Sequence, residues 1–460
     1  PEVTFDLFNF IRKWWEEIGE SVDIQESVCK KLNISRMLFG LYLGNPELVF
    51  GLESAHKNLR PGWLQNYIEF TSGHEAPEDF HLWVGLTILG AALRRKVWYD
   101  DIYYKLYPNL FTVLVAPPGV GKKTTAIDIG SSILREACPE LKIFSEKATP
   151  EAIASRLSTP VEGVGVKGFA KIESRAEALL LAPELTTFLG RERYNEQLII
   201  TLTRLYDCAA YLEVSTIKRR VEEARDVFAC LLGGTTPDEL TNALPAASSG
   251  GGFLSRLCII QKDRSPRCLP FTFLSDPTLR ELLVNSLAKI NREVSGQFCL
   301  TEDGRTWYAD YYRRWKKLLE SGALGRANIE RQASHLIKVA IILCVSEGKS
   351  ALDEDVLQRS FNILNSVLRS TGDIVRLIDA TETGKLMELV IATVKNFGGR
   401  CTQGQLMHKL YRKLTRNELR YLVETLNEAR VLKSWLSKDG RTTHHRLASV
   451  ERLEEEDDAG

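Results

Sequence analysis

Residues 110–125 read Leu-Phe-Thr-Val-Leu-Val-Ala-Pro-Pro-Gly-Val-Gly-Lys-Lys-Thr-Thr. Six apolar or β-branched residues predict a buried strand. A Pro/Gly turn follows, and Ala126-Ile127-Asp128-Ile129 opens a helix. Strand, glycine loop, lysine, hydroxyl and helix together predict a phosphate-binding loop. In such a loop the glycines turn backbone N–H groups inward, and the helix N-terminus adds partial positive charge. The residues expected to touch phosphate are Pro118, Gly119, Val120, Gly121, Lys122, Lys123, Thr124 and Thr125.

The spacing departs from G-x-x-x-x-G-K-[ST]. Ala116 holds the first glycine position. Counted from Gly121, the lysine is Lys122 and Lys123 falls where a hydroxyl belongs. In the alternative register the loop is one residue longer, Lys123 is the phosphate lysine and Thr124 supplies the hydroxyl. Mg²⁺ needs an oxygen ligand, which favours the second register.

A hydrophobic strand ending in an acid is expected roughly 60 residues further on. Ala178-Leu179-Leu180-Leu181-Ala182-Pro183-Glu184 fits, with Glu184 placed 61 residues after Lys123. Glu184 is the candidate general base and, with Thr124, a candidate Mg²⁺ ligand. Pro183 stands where an aspartate would be expected. A third strand, Val227–Leu232, runs into Gly233-Gly234-Thr235-Thr236-Pro237. A polar group there can sense the γ-phosphate, and Thr235 or Thr236 would supply it.

Two hairpins are expected around these strands. One covers 161–171 and carries Lys167 and Lys171. The other begins with the strand 211–216 and ends in a basic tip of Lys218, Arg219 and Arg220. Both are candidate contacts for a nucleic-acid backbone.

A glycine run, Gly250-Gly251-Gly252, then leads to Phe253-Leu254-Ser255-Arg256-Leu257. This segment resembles the L-S-R-F arginine-finger segment of the minichromosome-maintenance replicative helicases. Arg331-Gln332-Ala333-Ser334-His335-Leu336-Ile337-Lys338-Val339-Ala340 resembles their R-Q-L-E-x-L-I-R-L-A lid helix, and Gly348–Val356 resembles the turn before their last lid helix. The stretch from about His81 onward also resembles replication-linked ATPases of phages and mobile elements. The resemblance implies an AAA+ core that binds ATP and Mg²⁺, with Arg256 reaching the γ-phosphate of a neighbouring subunit and Arg331 contacting nucleotide. It also implies a ring, expected to be a homo-hexamer, that translocates on single-stranded or forked DNA beside a primase or polymerase.

Charge marks a last module. Residues 383–450 carry thirteen Lys/Arg against five Asp/Glu, although the whole chain is neutral. Thr402-x-x-Gln405 and Thr415-x-x-Glu418 predict capping boxes that open two helices. Asp439-Gly440 predicts a hairpin turn. Three helices and a hairpin make a winged helix, with Arg412, Lys413, Arg416 and Arg420 around its third helix and Arg441 on the wing as candidate DNA contacts.

The expected fold is therefore α/β: a P-loop NTPase (AAA+) core over 61–275 with inserted β-hairpins, and a helical lid over 276–380. An N-terminal helical domain covers 1–60, with Leu7, Phe10, Ile11, Trp14 and Ile18 on one helical face. The winged helix covers 381–450, and 451–460 form an acidic tail. The 460 residues allow a large core. The longest apolar stretch, Leu82 to Leu93, is too short for a membrane span. Nine cysteines without a C-x-x-C pair, and no signal-peptide pattern, predict reduced thiols in a cytoplasm and no structural zinc. Two other functions fit the same residues. One is a non-unwinding AAA+ switch, such as a helicase loader or DNA-dependent regulator. The other is an origin-binding winged-helix protein with a weak ATPase.

Overall fold

The computed structural model describes residues 58–145, 149–158, 161–162, 172–173, 176–190, 194–216, 219–243, 252–263, 265, 276–321, 331–379, 382–437 and 442–447. The helical face expected within 1–57 lies outside them. The described residues form two compact units, parted at Gly372–Asp373.

The first unit opens with α1 (Trp63–Phe70) and α2 (Glu78–Leu93). All but the first two residues of α2 are buried. A helix apolar on every side belongs inside a protein, and α2 packs against α1, the next helix and the main sheet. Two short antiparallel strands follow, β1 (Val97–Asp100) and β2 (Lys105–Leu106), and then β3 (Phe111–Val115). After β3 come α3 (Lys123–Ala137), β4 (Lys142–Phe144), α4 (Pro150–Ser158), and β5 (Val161–Glu162) paired antiparallel with β6 (Ile172–Glu173). The chain continues through β7 (Glu177–Ala182), α5 (Leu185–Leu189) and α6 (Tyr194–Tyr206). A hairpin of β8 (Tyr211–Thr216) and β9 (Arg219–Arg225) leads to β10 (Phe228–Thr235), α7 (Pro237–Ala243) and β11 (Leu257–Gln261).

Five of these strands form one parallel sheet in the order β11-β3-β10-β7-β4. β3, β7 and β10 are buried along their whole length. Helix-covered parallel sheets favour such unbroken apolar runs over alternation. All five strands point one way, so the loops after Val115, Ala182 and Thr235 share one edge. In open parallel sheets that carboxyl edge is where ligands bind.

Residues 276–372 depart from the expected helical lid. They supply α8 (Leu279–Glu293), β12 (Gly296–Leu300), α9 (Glu302–Ser321), α10 (Gln332–Ser346), β13 (Ala351–Leu352) and α11 (Glu354–Asp379), which runs on past Gly372. β12 pairs in parallel with β1, giving a second sheet of order β13-β12-β1-β2. The indole of Trp63 donates to the Leu283 carbonyl at 3.0 Å, and Leu283, Leu287, Leu336 and Ile337 join the core made by α1, α2 and β3. Apolar faces on both sides of the segment bind it into the same unit as the main sheet.

The second unit contains α12 (Glu382–Asn396), β14 (Arg400–Thr402), α13 (Gln403–Leu410), α14 (Arg416–Glu428), β15 (Leu432–Leu436) and β16 (Thr443–Leu447). Thr402 with Gln405, and Thr415 with Glu418, form reciprocal capping boxes that start α13 and α14. Leu419, Leu422, Val423 and Leu426 on α14 pack with Val390 and Val394 on α12 and with Leu432 and Leu447 of the sheet β14-β16-β15. No described helix is long and apolar enough to cross a membrane.

Candidate nucleotide site

The loop between β3 and α3 is shaped by backbone requirements. Gly119 has φ +75° with open space where a Cβ would lie. At Gly121 a Cβ would come within 2.8 Å of both the Ala116 Cβ and the Phe80 ring. Only glycine lets this turn close against α2. Lys122 takes a left-handed φ of 46° and caps α3 without a side-chain hydrogen bond. The first turn of α3 therefore offers its amide donors to an anion.

The two lysines diverge here. The Lys123 ammonium curls back over the loop and donates to the Ala116 carbonyl at 2.7 Å, with the Pro117 carbonyl at 3.5 Å. Half-burial holds its pKa below the ordinary lysine value, partly offset by the charge of Glu239. Lys122 points away, with its ammonium 3.6 Å from Glu75. Thr124 and Thr125 are exposed on the first turn of α3.

β10 lies between β3 and β7, with Gly233 opposite both Val113 and Ala182. One strand width, about 4.8 Å, therefore enters twice between the phosphate loop and the acid strand. Glu184 follows β7 as an exposed residue just before α5 and accepts from the Thr187 hydroxyl at 3.2 Å. Gly234 makes the approach possible, since a Cβ there would meet the Pro183 carbonyl at 2.9 Å.

The two threonines at the end of β10 are not equivalent. The Thr236 hydroxyl accepts from the Glu239 amide, and the Glu239 carboxylate accepts from the Thr236 amide, both at 3.3 Å. Thr236 is thereby committed to capping α7. Thr235 is buried beside the loop, and its carbonyl accepts from the Ala116 amide at 3.3 Å. Glu239 is the acid whose charge acts on Lys123, and sequence reasoning passed over it. Its signal was there in Thr236-x-x-Glu239, a capping-box pattern.

Arg256 and Arg331 lie at the other end of the sheet. Leu257 pairs with Phe111 and Gln261 with Val115, so Arg256 sits at the start of β3. Five strand residues, roughly 16 Å, separate it from the phosphate loop of its own chain. Arg256 is also not presented to solvent. It is buried, its guanidinium donates to both carboxylate oxygens of Asp207 at 3.2 and 2.6 Å, and a third bond goes to the Gly252 carbonyl. Asp207 also holds Arg331 at 3.4 Å. The structure thus groups Arg331 with Arg256 and parts both from the β3–α3 loop. Asp207 closes α6 without any periodic signal, so sequence reasoning missed it. His335 lies against the edge of Tyr206. Burial pushes its pKa down to about 3, so it adds no charge beside Arg256.

The candidate DNA contacts divide. Lys167, Lys171, Lys218 and Arg441 lie outside the described residues. Arg219 pairs with Thr216 as the first residue of β9, so Arg219 and Arg220 belong to a strand. Arg412, Lys413, Arg416 and Arg420 are exposed around the start of α14. Arg412 lies over the ring of Tyr411 and donates to its hydroxyl at 3.0 Å. Tyr411 and Tyr421 are exposed aromatics beside these cations, and the charge pattern did not single them out.

No protein-family model matches this chain, and no curated protein matches it.

Proposed function

We propose that this chain is an AAA+-type P-loop ATPase that works as a ring-shaped helicase on single-stranded and forked DNA. The observation that carries this is the convergence of Lys123, Thr235 and Glu184 at the carboxyl edge of one parallel sheet. The α3 amides and Lys123 hold the β- and γ-phosphate oxygens of ATP. Thr124, with Glu184 nearby, would hold Mg²⁺, which neutralises phosphate charge when bound. Glu184 accepts a proton from the attacking water, and Thr235 orients that water. Arg256 lies too far from its own loop to serve it, which supports a finger offered to the next subunit. Arg331 is grouped with Arg256, so an ATP that it contacts during hydrolysis is likewise one held in a neighbour's loop. The three helices and the antiparallel β15–β16 pair of the second unit support reading it as a winged helix, with a DNA-binding role for α14. A hexamer and a primase or polymerase partner follow from the family resemblance.

Steady-state ATPase with and without single-stranded DNA is the deciding experiment. Hydrolysis that DNA accelerates is the expected result. Hydrolysis without strand displacement on a fork would instead make the chain an AAA+ switch. No turnover at all would leave an origin-binding protein.

The lysine register has its own test. Lys123→Ala is expected to weaken ATP binding by about 30-fold or more, the scale for removing one partner of a desolvated charge pair. Lys122→Ala should change it little. Equal small effects at both positions in an equilibrium titration would overturn the phosphate-loop assignment.

DNA binding by α14 should be salt-dependent. Alanine at Arg412, Lys413, Arg416 and Arg420 should flatten the log K against log salt slope by about 0.7 for each single-strand phosphate left without its cation. The quadruple variant should keep its DNA-free ATPase rate. An unchanged slope would assign this face to a protein partner.

A further inference from the structure

A cavity of ≈ 330 Å³ lies in the first unit at the edge of the sheet remote from the phosphate loop, between the β1–β2 turn and the start of α10. We infer that it binds a small phosphate ester at a site separate from the P-loop.

Its donors come from several elements. Arg331, Ser334 and Lys338 all line it, spaced i, i+3 and i+7, and so share one face of α10. α10 runs for 15 residues, and Arg331 caps it without a side-chain hydrogen bond. The helix N-terminus therefore adds its positive end to two cations and a hydroxyl. The Tyr206 ring forms part of the wall, and its buried hydroxyl has no hydrogen-bond partner among the described residues.

Lys338 is the least expected member. It is buried, with its ammonium bonded to the Asn109 carbonyl and side-chain oxygen at 3.2 and 2.7 Å and lying 3.8 Å from the Tyr206 ring centroid. No carboxylate pairs with it among the described residues. Burial holds its pKa down to about 8, and an entering anion would favour the charged form. Asp207 is the acid in the lining, and Arg256 already neutralises it. The site is rich in donors and poor in free acceptors, which suits a three-oxygen dianion. The volume exceeds that of bare phosphate and reaches the lower range of small-molecule sites. Tyr104 and Tyr107 add aromatic rings to the lining, where the rest of the ester would lie.

The inference stands apart from the ATPase proposal, and its test uses a chain whose P-loop is weakened. The full chain carrying Lys123→Ala is titrated calorimetrically with ribose 5-phosphate and, separately, with adenosine monophosphate. At least one probe is expected to bind. Tighter binding of the second would show that the ring faces hold a base. Adding Arg331→Met or Lys338→Met should weaken that binding about tenfold or more, the scale of a charge-assisted hydrogen bond. Arg331 is partly exposed, so its substitution tests the site even where Lys338→Met fails to fold. Neither probe binding to the Lys123→Ala chain would overturn the assignment. So would binding that Arg331→Met leaves unchanged.

Discussion

Arg256→Ala is expected to bind ATP as tightly as the parent and to turn it over roughly 10³-fold or more slowly, the loss seen when an arginine finger is removed. Binding survives because the phosphate loop lies roughly 16 Å away along β3. The fold survives too. Asp207 is partly exposed and keeps Arg331 at 3.4 Å, so no bare carboxylate is left buried. The measurement is single-turnover hydrolysis beside an equilibrium ATP titration. Arg256 donates two bonds to Asp207, so a neighbour's phosphate must take the place of that carboxylate before the finger can act. Mixing Arg256→Ala with Glu184→Gln decides whether the site is shared. Activity should return at interfaces where an intact finger meets an intact base. A mixture as inactive as either parent, in subunits shown to exchange, would sink the shared site.

Glu184→Gln should leave ATP binding near the parent value and lower hydrolysis by about 10²-fold or more, as expected for loss of a general base. The substitution is nearly isosteric. Glu184 is exposed, and the glutamine oxygen can still accept from Thr187, so stability should hardly move. Basicity is the property lost. Near-normal turnover would move the role to another acid, and Glu239, close enough to act on Lys123, is the first to try. Glu239→Gln offers the contrast. It keeps an acceptor for the Thr236 amide, so the cap persists while the charge facing Lys123 goes.

What was legible in the sequence was local or periodic. β3, β7 and β10 are buried on both faces, so each reads as an unbroken apolar run. The capping boxes at Thr402 and Thr415 need only four consecutive residues. The choice between Lys122 and Lys123 was not legible, because it depends on which side chain the left-handed residue at the helix start turns inward. The pairing of β1 with β12 joins residues about 200 positions apart. β12 is short and mixed in polarity, so nothing in Gly296–Leu300 announces a strand that completes a sheet begun before β3. The Asp207–Arg256 pair was hidden for a related reason. A carboxylate at a helix end has many possible partners, and only the fold selects one.

That β1–β12 ladder limits how the proposed ATPase could convert a chemical cycle into motion. A segment hinged over a nucleotide can swing only if it parts from the body at little expense. Here a swing of residues 276–372 would tear a parallel ladder, break the bond from Trp63 to Leu283 and wet Leu283, Leu287 and Ile337. Each of those side chains carries about 1.5–3 kcal/mol of burial. The segment and the main sheet must then travel as a single lever. In the proposed ring, displacement then falls to the joints between whole subunits, and work would reach the DNA as rotation of an undeformed body.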